Sequence, residues 1–192
     1  MKESLVKVVA AVVALYFRHF PIQIGKSLVW KTVVLRRLYW RHLTLSANVL
    51  GARFNVCLPD MIQSYLYFFG KWEPVITRYV LDRLGTGDVF IDVGANIGYY
   101  TLIASRRVGP NGRVFAIEAA SSIFEKLQQN LAQNAVHNVT AFNVAVSDKP
   151  GQVPVWLNRG SNLGGTRRFP MLRSGALPEW SKASKPSSFT RS

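Results

Sequence analysis

Cysteine occurs once, at Cys57, so no disulfide can form within the chain. That absence suits a reducing compartment, and a cytoplasmic location is expected. Histidine is scarce and scattered, at His19, His42 and His137. No His/Cys/Asp spacing suggests a metal site, so none is expected. No apolar run is long enough to cross a bilayer. The longest candidate, Leu5–Phe17, is broken by Lys7, and a spanning helix needs about 20 apolar residues. Nor does a persuasive small-x-small cleavage site follow it, as a signal peptide would require. Acidic residues are few, 10 against 24 Lys and Arg, for a net charge of +14. Residues 170–192 lack both a strand-length apolar run and a helical period. Their Ser, Pro, Lys and Arg cannot bury a core, and disorder is expected there.

The charge is unevenly spread. Residues 1–45 carry +7, residues 46–157 carry +1 and residues 158–192 carry +6. The central body is nearly neutral and no nucleic-acid recognition motif is visible. The expectation is therefore no nucleic-acid partner. In Lys26–Leu45, Trp30, Val33, Val34, Leu38 and Trp40 mix with Lys31, Arg36, Arg37 and Arg41. Such a segment suits a helical cap packed on the body, or a helix lying on an anionic membrane surface. The cap is the first reading, and peripheral membrane contact through residues 1–45 is compatible with it. Asn138-Val139-Thr140 matches a glycosylation sequon, but it opens an apparently buried strand and reads as coincidence.

The densest information lies in Val89–Thr101, VFIDVGANIGYYT. An apolar run ending in Asp92 reads as a buried parallel strand. Gly94, Asn96 and Gly98 follow, and then the start of a helix over Tyr99–Val108. A strand turning through glycines into a helix N-terminus forms a crevice for a nucleotide-like ligand. Asp92 stands where the dinucleotide fingerprint has its first glycine. A carboxylate there repels a pyrophosphate and attracts a cationic centre. S-adenosylmethionine, with its sulfonium and ammonium, is favoured over NAD.

Arg113–Ile117 reads as the next strand, ending in Glu118, about twenty residues beyond the loop. That placement fits hydrogen bonding to ribose hydroxyls. Ile123, Leu127 and Leu131 mark one face of a following helix, capped by Ser121 or Ser122. Val139–Val146 reads as a third strand. Strands alternating with helices imply a parallel doubly wound α/β sheet, whose ligands sit at the carboxyl ends of the strands. Upstream, Arg53–Leu58 reads as a strand. Val75–Leu84 reads as a helix with Tyr79, Val80 and Leu84 toward the sheet.

Four motifs then appear in order: Phe54–Glu73, Gly87–Tyr99, Gly112–Glu118, and Asn138-Val139-Thr140 with Ala145–Asp148. Together they resemble the FkbM-type methyltransferases, a branch of the class I S-adenosylmethionine-dependent enzymes. The resemblance covers residues of about 50–157. It implies a Rossmann-like fold, S-adenosylmethionine as cofactor, and O-methylation of a sugar or other small-molecule hydroxyl, including a glycan or lipid-linked sugar. By resemblance, Asp92, Gly94, Ala95, Asn96 and Gly98 line the methionine part of the cofactor. Glu118 holds the ribose, the backbone at Val144 and Ala145 faces the adenine, and Glu73 approaches the mouth of the site. No catalytic base can be named. Ala119-Ala120 stand where the family has a proline directly after the acid, which implies a less preorganised turn.

The resemblance divides the chain into a basic apolar helical segment (1–50), the N-terminal half of a methyltransferase domain (51–157), and a hairpin remainder with a basic tail (158–192). Only the first three core strands are evident, with a further hairpin near Gln152–Phe169. A C-terminally truncated methyltransferase is the expectation. The alternatives are a catalytically inactive remnant and a membrane-surface binding module.

Overall fold

The computed structural model describes residues 3–20, 25–148 and 151. The hairpin and tail expected after residue 151 lie outside them. The core of the fold is a parallel three-stranded sheet, ordered β3-β4-β5. Its strands are β3 (Val89–Val93), β4 (Arg113–Ile117) and β5 (Val139–Phe142). Helix α5 (Tyr99–Val108) crosses from β3 to β4, and α6 (Ser121–Gln133) crosses from β4 to β5. This is the Rossmann-like half-sheet expected from the strand–helix alternation. β3, α5 and β4 fall on the segments read from the sequence.

The third strand is shorter than expected. It stops at Phe142, and Val144 and Val146 lie exposed in irregular backbone. Asn143 accounts for the early end. Its amide donates to the carbonyls of Glu118 and Ala119 (2.8 and 3.2 Å), turning the chain across the β4–α6 loop instead of along the strand. The expected serine cap is also absent. Ala120 takes the N-cap position of α6, and the Ser121 hydroxyl donates to Asn143 Oδ1 at 2.8 Å.

Only one face of the sheet is well covered. Leu102, Ala104, Val108, Val114, Ala116 and Leu127 are buried between sheet and helices. On the other face Val89, Ile91 and Val93 are 59 to 60 % exposed. β3 pairs with β4 alone among the described residues, so its other edge carries no partner strand there.

Helix α4 (Pro74–Arg83) packs beside α5. Thr77 is its one buried side chain, and Val80 and Leu84 are half-buried. Tyr79 was expected to face the sheet, but it is 59 % exposed and lies under the Arg83 guanidinium at 5.1 Å. Contact with α5 needs only a narrow stripe of α4, centred on Thr77, and Tyr79 falls outside it.

The N-terminal part forms a second layer. Helix α1 (Glu3–His19) buries Val6, Ala10, Ala14 and Phe17. Helix α2 (Lys26–Val29) runs on as a π-helical stretch over Trp30–Leu38 and a 3₁₀ turn over Tyr39–Arg41. The helix expected to reach Leu45 therefore ends sooner. Thr44–Val49 forms an antiparallel hairpin as β1 with β2 (Ala52–Cys57). Leu45, Ala47 and Val49 alternate inward along β1, a period of two that no helix can bury. Leu50 and Gly51 turn the hairpin with φ of 50 and 80°, as a tight two-residue turn requires. Helix α3 (Met61–Phe69) starts at Asp60, whose carboxylate accepts from the Gln63 N–H at 2.9 Å. It ends against the Arg18 guanidinium, which donates to the Leu66 and Tyr67 carbonyls. No helix among the described residues is long and apolar enough to cross a membrane.

A buried side chain ties the layers together. Asn130 of α6 is fully buried. Its Oδ1 accepts from the Asn55 N–H of β2, and its Nδ2 donates to the Ile97 carbonyl beyond β3, both at 2.8 Å. Asn130→Ala orphans both backbone groups. It is expected to cost roughly 2–4 kcal/mol of stability, measured as a lowered urea midpoint, whereas exposed Gln128→Ala should leave the midpoint unchanged.

Candidate functional site

The carboxyl ends of β3 and β4 meet at one loop. After Val93, Gly94 takes φ 78° and Asn96 takes φ 51°, both in the left-handed region that glycine and asparagine tolerate best. The N–H groups of Gly94 and Ala95 both donate to the Ile117 carbonyl at the end of β4 (2.8 and 3.0 Å). The Asn96 side chain accepts from the Ile97 N–H at 2.8 Å. Gly98 then closes the loop on α5, its N–H donating to Ala95 O and its carbonyl accepting from Leu102 N–H.

The two loop glycines do different work. A Cβ built at Gly94 would meet nothing within 4 Å, so the backbone there opens onto free space. A Cβ at Gly98 would stand 2.7 Å from Leu127 Cδ1. Gly98 is thus a packing glycine that lets α6 approach the loop. Gly94 is the one whose missing side chain leaves room for a ligand.

Glu118 reaches from the end of β4 into this loop. It is 9 % exposed. Oε2 accepts from the Asn96 N–H and Oε1 from the Ala120 N–H, each at 2.9 Å. An ionised carboxylate offers about four acceptor positions, so two stay available to hydroxyls arriving at the rim. These two N–H groups also fix the acid's orientation where the missing proline implied a looser turn.

Asp92, expected along the methionine part of the cofactor, lies near the carboxyl end of β3. It is 8 % exposed, and its Oδ2 accepts from the Thr101 hydroxyl at 2.5 Å. Burial pushes its carboxyl above the usual range, opposed by the hydrogen bonds from Thr101, with the nearby Glu118 adding to the rise. A charge so placed acts on the loop mainly through space and through Thr101. The sequence reading missed Thr101. Its only signal was a hydroxyl in the first turn of a helix directly above an acid. Asn130, also missed, could have been found as the polar break in the Ile123–Leu127–Leu131 face.

Glu73 sits at the start of α4 with φ 40° and accepts from the Tyr100 hydroxyl at 2.9 Å. Burial, then this acceptor, pushes the Tyr100 phenol well above its usual range. Tyr99 and Thr77 share a hydrogen bond of 3.0 Å. Glu73 is thereby tied to the first turn of α5, two residues beyond Gly98. Val144 and Ala145 lie exposed beside the β4–α6 loop, directly after Asn143. Asn138 is committed to the fold, its amide donating to the Ser105 and Gly109 carbonyls and its Oδ1 accepting from Ser105. No group of three or more His, Cys, Asp or Glu among the described residues is arranged to hold a metal.

Part of the chain, this loop included, matches known proteins. The family model for protein-L-isoaspartate(D-aspartate) O-methyltransferase matches residues 73–151. The 23S rRNA (uracil(1939)-C(5))-methyltransferase RlmD of Acinetobacter baylyi is 31 % identical over 78 residues, covering 41 % of this chain and 17 % of that protein. A protein-L-isoaspartate O-methyltransferase of Ignicoccus hospitalis is 30 % identical over 69 residues, covering 35 % of this chain and 33 % of that one. Among solved structures, M. jannaschii TYW2 in complex with AdoMet aligns with a TM-score of 0.44 at 21 % identity, covering 56 % of this chain and 46 % of that chain. The chain thus spans between about a sixth and a third of the length of the curated relatives it matches.

Two expectations change. The family match is to the isoaspartate methyltransferase model, which supports the class I methyltransferase fold and not the FkbM branch in particular. The exclusion of nucleic acid as a partner does not stand, because a matched relative is named for 23S rRNA. Segment charge and absent motifs were poor grounds for it, since an acceptor can be gripped by parts of a protein far from the shared loop.

Two variants separate the loop's packing from its charge. Gly98→Ala forces a Cβ onto Leu127 at a positive φ and is expected to cost roughly 1–3 kcal/mol, read from a urea midpoint. For Asp92 the folded-state carboxyl is raised above its unfolded value, so the native state holds the proton more tightly. Its ionised form therefore costs stability as pH rises from below the unfolded value through the raised folded one. Asp92→Asn is expected to lift the urea midpoint at neutral pH and flatten its fall between acid and neutral pH. A midpoint that drops at every pH would refute this account of Asp92.

Proposed function

We propose that the chain binds S-adenosylmethionine through Asp92–Gly98 and Glu118 and serves methyl transfer from it. One observation carries this reading. Glu118, oriented by two backbone N–H groups, is bonded to the same loop in which the Gly94 backbone opens onto free space, at the carboxyl ends of two parallel strands. A ribose diol suits the free acceptor positions of that carboxylate, and a methionine chain suits the space over Gly94. Asp92 and Glu118 together bias the pocket toward a cationic ligand. The exposed backbone of Val144 and Ala145 borders the adenine position. The names of the matched methyltransferases, and of the structure holding AdoMet, point the same way.

Bound there, S-adenosylmethionine would offer an electrophilic methyl group on a sulfonium. The contribution of this chain's residues is alignment, which in an in-line displacement accounts for much of the rate. Glu73, tied to Tyr100 at the first turn of α5, borders the mouth on this reading. The acceptor is left at the level of a methyl-accepting group. The relatives' names give an rRNA uracil and protein isoaspartate, and neither supports the sugar hydroxyl that the sequence suggested. The narrower FkbM-type assignment rests on the four motifs alone, and a reducing cytoplasmic setting on the single thiol.

A second reading has its own observation. Among the described residues β3 has an exposed face and an edge with no partner strand, which suits a chain that binds the cofactor without turning it over. Titration calorimetry with S-adenosylhomocysteine tests binding, and methyl release from labelled cofactor tests turnover. The wild type is expected to bind. Gly94→Ala should lose at least about tenfold in affinity while its stability falls by no more than about 1–2 kcal/mol, since its Cβ meets no protein atom. Glu118→Gln should lose on the order of tenfold or more with the ribose contact. No heat from the wild type, or unchanged binding in Gly94→Ala, would overturn the proposed site.

A further inference from the structure

Helix α1 is apolar on both sides. Its inner stripe, Val6, Ala10, Ala14 and Phe17, packs into the protein. Its outer stripe, Leu5, Val8, Val12 and Leu15, is 51 to 59 % exposed. At 3.6 residues per turn those four fall within an arc of about 80° and run roughly 15 Å along the helix. No single exposed leucine needs explaining, but a continuous aliphatic ridge on the outside of a folded layer does.

The surroundings of the ridge are strongly one-signed. From Ser4 to Pro59 the sequence contains no Asp or Glu and eight Lys or Arg. The segment that follows α1 begins at its C-terminal end. Lys26 Nζ donates to the Phe17 carbonyl at 3.3 Å, and the Trp30 and Phe17 rings meet edge to face at 6.0 Å. That segment then exposes Lys31, Arg36, Arg37, Arg41 and His42, with Trp40 62 % exposed among them. Lys7 with Glu3 is the one ion pair of this layer among the described residues.

We infer that this layer docks on an anionic lipid surface, with the α1 ridge in the interface and the cations of 26–42 against the headgroups. The chemistry separates this occupant from two others. A second copy of the chain would bring one acid-poor cationic layer against another, and like charges would oppose it. A nucleic acid would satisfy the arginines and could stack on Trp40. It would, however, leave the aliphatic ridge wet, because a phosphodiester backbone offers nothing apolar to Leu5, Val8, Val12 and Leu15. A lipid surface satisfies both sets at once. Since no described helix is long and apolar enough to cross, the contact is interfacial. The inference is independent of whether the loop at Gly94 binds a cofactor.

Flotation of the full chain with vesicles tests it. One set is phosphatidylcholine alone, the other phosphatidylcholine with three parts in ten phosphatidylserine. The wild type should float with the anionic set and at least tenfold less with the neutral set. Val8→Glu with Val12→Glu alters exposed positions only, so its thermal melt should match the wild type while flotation drops at least tenfold. Arg36→Gln, Arg37→Gln and Arg41→Gln together should weaken flotation severalfold and reduce its salt dependence. Failure of the wild type to float overturns the proposal, as does undiminished flotation of the valine variant. So does a vesicle-free dimer that the valine variant splits, which assigns the ridge to a second copy. Binding of a 20-nucleotide RNA, untouched by the valine changes and lost with the arginines, without flotation, assigns the surface to nucleic acid and equally overturns it.

Discussion

The Glu118 carboxylate is the interaction on which the candidate site depends. It leaves the end of β4 and accepts N–H groups from two loops at once, Asn96 after β3 and Ala120 before α6. Parallel strands offer no hairpin to fix the relative position of their ends. A buried side chain must do that, and a charged acceptor gives stronger hydrogen bonds than a neutral one. The Ile117 carbonyl adds a second tie by accepting from Gly94 and Ala95. With both in place, the loop is a fixed shape before any ligand arrives, and the remaining acceptor capacity of Glu118 points where the strands end.

Asp92 and Glu118 were assigned to different parts of one ligand, the methionine chain and the ribose, and they are also held differently. Glu118 is oriented by backbone donors at the rim, whereas Asp92 is bonded to Thr101 beneath the loop. One, though buried, accepts only two backbone N–H groups among the described bonds and keeps acceptor capacity beyond them. The other supports the start of α5 and contributes its charge at a distance. The loop glycines divide in the same way, Gly94 opening the surface and Gly98 admitting Leu127.

Much of this was legible in the sequence wherever local pattern and tertiary demand agreed. The strand from Val89 and the helix Tyr99–Val108 each sit between glycines, Arg113–Ile117 follows Gly112 and ends at Glu118, and these elements lie where the sequence put them to within a residue. The pattern misled where a side chain far along the chain decided the outcome. Val144 and Val146 continue an apolar alternation, yet Asn143 reaches back to Glu118 and ends the strand before them. Thr44–Val49 was absorbed into the preceding basic helix because Leu43 and Leu45 fit either period, and only pairing with Ala52–Cys57 settles it. Thr101 and Asn130 were passed over despite faint signals, since a hydroxyl or amide on a helix is usually a solvated one. The position of the acids was readable, but their hydrogen-bond partners were not.

Asn130 gives the two-layer arrangement a mechanical consequence. Its amide grips Ile97, next to the loop's left-handed Asn96, while its oxygen grips Asn55 in the middle of the hairpin. Gln133 and Asn134, on the same helix, grip the Arg53 carbonyl of that hairpin. The hairpin is therefore an anchor for the loop's far end, outside the sheet that carries the loop's near end. A displacement of the loop has to rotate α6 or stretch these bonds. Part of the rigidity at the crevice is thus borrowed from the amino-terminal layer, and a fragment beginning at β3 would keep the Glu118 and Ile117 ties while losing the anchor of α6 on the hairpin.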